Sequence, residues 1–128
     1  MIIPAIIFDI TYNLARQCDT VLDQTIHEAI LYGSFARGTP HKYSDLNIML
    51  TLNCEPNDLD SYFRKITPIV SEFSLKFNIT IHVKLITKDQ FREFSKTIPM
   101  YKEIAEKSFR YTRFGLILPN WEEEEYDY

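Results

Sequence analysis

The sequence predicts one domain of the α/β (α+β) class, a small mixed β-sheet with helices packed on it. Three observations lead there. The chain has 128 residues, 45% hydrophobic and 25% charged, which suits a single core of ordinary globular composition. Apolar runs of strand length occur at 28–32, 45–50 and 78–87. Stretches with helical spacing lie before and between them, and strand alternating with helix favours helices layered on a sheet.

In order along the chain, residues from Pro4 to about Asp23 place Ile7, Ile10, Leu14, Val21 and Leu22 mostly on one helical stripe, with Pro4 suited to a first helical position. Ala29 to Tyr32 read as a buried strand. The loop Asn53 to Asp58 caps a helix over 58–76, where Leu59, Tyr62, Phe63, Ile66, Val70 and Phe73 keep helical spacing and Pro68 is expected to bend or split it. Residues 78–87 alternate, with Ile79, Ile81, Val83 and Leu85 on one face and Thr80, His82 and Lys84 on the other. Thr87 with Gln90 has the spacing of a capping box for a short helix through Lys96, and Pro99 starts another that runs to about Ser108. Residues 1–121 form the domain and 122–128 an acidic tail.

The chemistry concentrates in residues 29–50, AILYGSFARGTPHKYSDLNIML. Gly33 and Gly38 free the backbone after the first strand, and Ser34 is placed to cap the short turn Phe35-Ala36-Arg37, whose first N–H groups have no partner inside a helix and favour phosphate. A strand beginning at Asp45 puts Asp45 and Asn47 on one face, two residues apart. Two oxygen-bearing side chains beside a phosphate cradle suit Mg²⁺, which takes one or two carboxylates and fills its octahedron with water and phosphate oxygens. That is the apparatus of phosphoryl or nucleotidyl transfer.

In these residues the chain resembles the nucleotidyltransferase superfamily, and most of all its minimal nucleotidyltransferase (MNT) antitoxin-like group, whose pattern is Gly-Ser, ten residues, then Asp-x-Asp. Here it reads Gly33-Ser34, residues 35–44, then Asp45-Leu46-Asn47, with LYGSFARG similar to the group's strand and GSxARG, and Ser44-Asp45-Leu46 similar to its SDxD. The resemblance implies the polymerase β-like nucleotidyltransferase fold, a nucleoside triphosphate, ATP, as substrate with Mg²⁺, and nucleotide binding by Gly33, Ser34 and Arg37. It implies catalytic and metal-binding roles for Asp45 and position 47. It also implies a protein partner, a HEPN-type ribonuclease toxin whose tyrosine receives the nucleotide; a homo-oligomer is the other expected assembly. The chain departs from the pattern at Asn47, where the group has its second carboxylate, and no acid lies between Glu72 and Asp89 to supply a third from strand 78–87.

Two functional readings follow. In one the protein is an enzyme that moves a nucleoside monophosphate to a hydroxyl. In the other it is an inactive nucleotidyltransferase-fold module that neutralises its partner by contact.

Charge bounds the partners. Of 18 acids, five (Glu122 to Glu125 and Asp127) sit in the tail, so the first 121 residues carry 13 acids against 14 Lys and Arg. A near-neutral body argues against bulk nucleic-acid binding, which needs cations gathered on one face. Only 84–113 leans basic, eight Lys and Arg against four acids, with Lys88, Arg92 and Lys96 in a helical stripe that reads as a solvated face. His82 and Lys84 likewise read as a solvated strand face, the alternative being that one of them meets phosphate or acts as a base, His41 and Lys42 read as a polar loop, and His27 has no partner legible in sequence. Phe91, Phe94, Tyr101 and Phe109 read as core or interface. Cys18 and Cys54 match no metal spacing and suit reduced thiols in a cytoplasm, and no apolar stretch approaches the span of a membrane. The tail is read as solvated, its alternative being contact between its acids and a basic surface.

Overall fold

The computed structural model describes residues 5–38, 40, 44–112 and 115–117. His41 and Lys42, and the tail with Trp121, lie outside the described residues. The elements are α1 (Ala5–Val21), β1 (Ile26–Tyr32), α2 (Ser34–Arg37), β2 (Leu46–Leu52), a 3₁₀ turn (Pro56–Asp58), α3 (Leu59–Phe77), β3 (Ile81–Thr87), α4 (Lys88–Thr97), α5 (Pro99–Lys107), β4 (Phe109–Thr112) and β5 (Gly115–Ile117).

The five strands form one mixed sheet in the order β3-β2-β1-β4-β5. β1 is antiparallel to both β2 and β4, and β2 runs parallel to β3. Period-two alternation sends the strands' side chains to two different cores. Ala29, Leu31, Leu46, Ile48, Leu50 and Leu52 face α1 and α3, burying Ile7, Ile10, Leu14, Ile66 and Phe73 with them. Ile30, Met49 and Ile86 face the other way, against Phe91 of α4 and Tyr101 and Ile104 of α5. Each fully buried aliphatic side chain in these layers contributes about 1.5–3 kcal/mol through area removed from water. The second face carries fewer such residues, and the polar side chains Glu28, Asn47, His82, Lys84 and Arg110 share it.

Several expectations are met and others corrected. The Thr87 and Gln90 capping box is present in both directions, Gln90 N–H donating to Thr87 Oγ1 at 3.0 Å and Thr87 N–H to Gln90 Oε1 at 3.1 Å. Pro99 does start α5. Pro68 neither splits nor ends α3, which runs unbroken through it. β3 begins at Ile81 rather than 78, because Asn78 (φ 51°) is the left-handed cap of α3 and the Ile79 N–H still bonds back to Ser74 O at 3.2 Å. Val21 and Phe63 fall outside the core, 38% and 47% exposed. β4 and β5 were not foreseen, since strands of four and three residues are too short to show a period. Phe91, Tyr101 and Phe109 are core, as expected.

Candidate functional site

β1 ends at Tyr32 and the chain turns sharply at Gly33, whose φ of 84° and ψ of −157° belong to a region that side chains rarely enter. One helical turn follows, Ser34–Arg37, with Phe35 and Ala36 buried as its anchors. Gly38 closes it in the left-handed conformation, its N–H on Phe35 O at 3.2 Å. Gly33, not Ser34, is the N-cap, and no side chain caps the turn. The Ser34 hydroxyl donates instead to Ser44 Oγ at 3.1 Å, which ties the turn to the residue before Asp45.

Gly33 also faces β2. A Cβ there would lie 2.7 Å from Asn47 Nδ2, so the bare Cα is what lets the Asn47 side chain pass. Asp45 stands just ahead of β2, whose first N–H, on Leu46, is held by Thr80 O at 2.9 Å. Asn47 pairs in register with Tyr32 on one side and His82 on the other. This row brings His82 Nε2 to 2.9 Å from Asp45 Oδ2. The solvated reading of His82 is therefore corrected: although 59% exposed, its imidazole is held by the first site carboxylate, itself 44% exposed. A pair this exposed contributes about 0–1 kcal/mol, so it orients the ring without locking it.

Lys84, one pleat along the same face, is not simply solvated either. It donates to the Tyr101 hydroxyl at 2.7 Å and lies 5.2 Å from that ring's centroid. Burial pushes the Tyr32 phenol above its ordinary pKa, and the nearby Lys84 charge opposes that rise. Arg37 is exposed at the end of the turn. It borders a cavity of about 230 Å³ walled by Tyr32, Gly33 and Arg37 on one side and by Met100, Ile104 and Lys107 of α5 on the other.

The structure thus brings together Gly33, Ser34, Asp45 and Asn47 as the spacing requires, and adds His82 and Ser44. Sequence could not show the His82 contact, because the register of two parallel strands leaves no local signal; the Ser34 to Ser44 contact spans ten residues and has no local signature either. Among the described residues no group of three His, Cys, Asp or Glu side chains converges as a metal cluster would. Cys18 and Cys54 are free thiols, Cys18 buried with its pKa pushed up to about 12 by that burial. No helix of the described residues is long and apolar enough to cross a membrane.

Known proteins share similarity with this chain. The family profile of the nucleotidyltransferase domain matches residues 15–112. A protein of Methanocaldococcus jannaschii that carries the assigned name protein adenylyltransferase is 31% identical over 75 residues, 59% of this chain and 74% of that protein. A crystal structure from Sulfolobus solfataricus, assigned as a nucleotidyltransferase, aligns with 84% of this chain and 86% of its own at a TM-score of 0.49 and 16% identity.

Proposed function

The chain belongs to the nucleotidyltransferase domain family, and from that premise we propose that it holds a nucleoside triphosphate, ATP, over the Gly33–Arg37 turn and moves the nucleoside monophosphate to a hydroxyl of a partner protein. The observation that carries this reading is the meeting of Asp45, Asn47 and His82 beside Gly33. The similarity to a protein named as a protein adenylyltransferase supports ATP as donor and a protein as acceptor. The partner proposed is a HEPN-type ribonuclease, with this chain as its MNT-type antitoxin in the cytoplasm.

In the transfer, the acceptor oxygen bonds to the α-phosphorus while the bond from that phosphorus to the bridging oxygen breaks, and pyrophosphate leaves. The turn's N–H groups and Arg37 hold phosphate oxygens. The apolar wall of Tyr32, Met100 and Ile104 seats the base. An ionised Asp45 only accepts hydrogen bonds, so the imidazole donates from Nε2 and keeps Nδ1 to accept the hydroxyl's proton.

A pair of ions clamped between protein carboxylates does not fit this donor set, because Asp45 is its single acid and the Asn47 amide carries no charge. One Mg²⁺ arriving on the triphosphate does fit, with Asp45 and the Asn47 amide oxygen as its protein ligands, and when bound it supplies positive charge beside the phosphates.

Asn47, together with the lack of an acid in β3 beside it, favours a second reading, an inactive nucleotidyltransferase-fold module that neutralises its partner by contact. The test is incubation with labelled ATP, Mg²⁺ or Mn²⁺ and a HEPN-type partner. Label on the partner, lost in Asp45→Ala, is the expected result. No label from the parent chain but label from Asn47→Asp would establish the second reading. A melting temperature indifferent to millimolar ATP, with and without metal, would sink the transfer reading and leave only neutralisation by contact, since a ligand that binds only the folded state must stabilise it.

A further inference from the structure

We propose that the cavity of about 220 Å³ between α4 and the sheet, at the end of β1 away from the Gly33 turn, binds a phosphomonoester dianion through Lys88 and Arg92. Its floor is Glu28, four residues before Tyr32 and so about 13 Å along the strand from the turn. The inference stands apart from the reading of that turn.

The floor carboxylate is 8% exposed and already engaged. Arg110 of β4 donates to it twice, from Nε at 2.6 Å and from Nη2 at 2.8 Å, so the two charges cancel. Thr51 Oγ1, on the same floor, is occupied by the Glu28 N–H at 3.0 Å. Lys88 and Arg92 stand one turn apart on α4 with their side chains lining the cavity, and neither has an ion-pair partner among the described residues. Two positive charges stand over a neutral floor, Lys88 also bordering a second cavity with Glu55, Asp58 and Asp89.

His27 of β1, which also lines the cavity, reports the same field. Burial lowers its pKa from the ordinary 6.5; Glu28 opposes that, and Lys88, Arg110 and Arg92 each lower it again. Cations from α4 and β4 therefore converge on one imidazole. Asp19 and Arg16 of α1 line a separate cavity on the other side of His27. A phosphomonoester carries about 1.5–2 negative charges and three acceptor oxygens, which matches two free cations with several N–H donors; a single carboxylate matches half of that charge.

The test is NMR on the full chain at constant ionic strength, titrated in parallel with inorganic phosphate, phosphoserine, AMP and succinate. Phosphate should shift the resonances of His27, Lys88, Arg92 and Arg110 saturably, and should raise the His27 titration midpoint, because a bound anion favours the imidazolium. Lys88→Gln with Arg92→Gln should weaken binding about tenfold or more and abolish the midpoint shift. Gly33→Ala should change neither. Tighter binding of phosphoserine than of AMP would assign the phosphate to a modified side chain, and the reverse order to a nucleotide. The proposal is overturned if those resonances do not respond, if the response is confined to residues 33–37, if succinate binds as well as phosphate, or if the double variant keeps full affinity.

Discussion

Gly33 meets two demands at once: its φ of 84° excludes most side chains, and the space beyond its Cα belongs to Asn47. Gly33→Ala should therefore cost about 1–3 kcal/mol from backbone strain, with a further loss from displacing the amide 2.7 Å away. Denaturant unfolding measures the sum. Adding Asn47→Ala to that variant should recover the steric part and leave the conformational part. If the double variant is no more stable than Gly33→Ala alone, the close approach is not what constrains position 33. The turn at Gly33 and the place of Asp45 after it were legible in the sequence because a tight turn and an acid at fixed spacing are local facts, whereas the cap expected of Ser34 was not kept. The grip of His82 on Asp45 was not, because it depends on which residue of β3 lies beside Asn47, and helix α3 separates the two strands in the chain.

At the scale of elements, local rules worked where both partners of an interaction sit within one turn. The box at the start of α4 is such a case, and Thr87→Ala should destabilise the protein by about 1 kcal/mol, since it strands the Gln90 N–H. Gln90→Ala should cost less, because Thr87 keeps its half of the box. Equal losses in thermal melts would mean that the two halves of the box contribute alike and that the Thr87 cap is not the stronger one. The rules failed where an element's meaning came from its neighbours. β4 is four residues long, and no pattern of its own marks it as a strand; it becomes one because Ala29, Ile30 and Leu31 offer their open edge to Tyr111, Arg110 and Phe109. Pro68 shows the opposite error, a strong local breaker overruled inside a helix packed along its length by Ile66 and Phe73.

For the molecule as a whole, the ion pair of Glu28 and Arg110 joins strands β1 and β4 across 82 residues of sequence. Removing one member leaves the Glu28 carboxylate, 8% exposed on the floor of its cavity, without its partner, so Arg110→Ala should cost about 1–3 kcal/mol. Glu28→Leu with Arg110→Met should cost much less, because both charges leave together. A double variant as unstable as Arg110→Ala would show that packing, not charge, is at stake. The same connection has a consequence for the nascent chain. A ribosome releases β1, β2 and β3 well before residues 109–112, so the strand that ends in the middle of the sheet spends much of its synthesis as an unprotected edge, with an acid awaiting its counter-ion. Until residues 109–112 emerge, that edge is open to a strand from any other chain nearby, and the time taken to translate the chain from β3 to β4 sets how long the opening lasts.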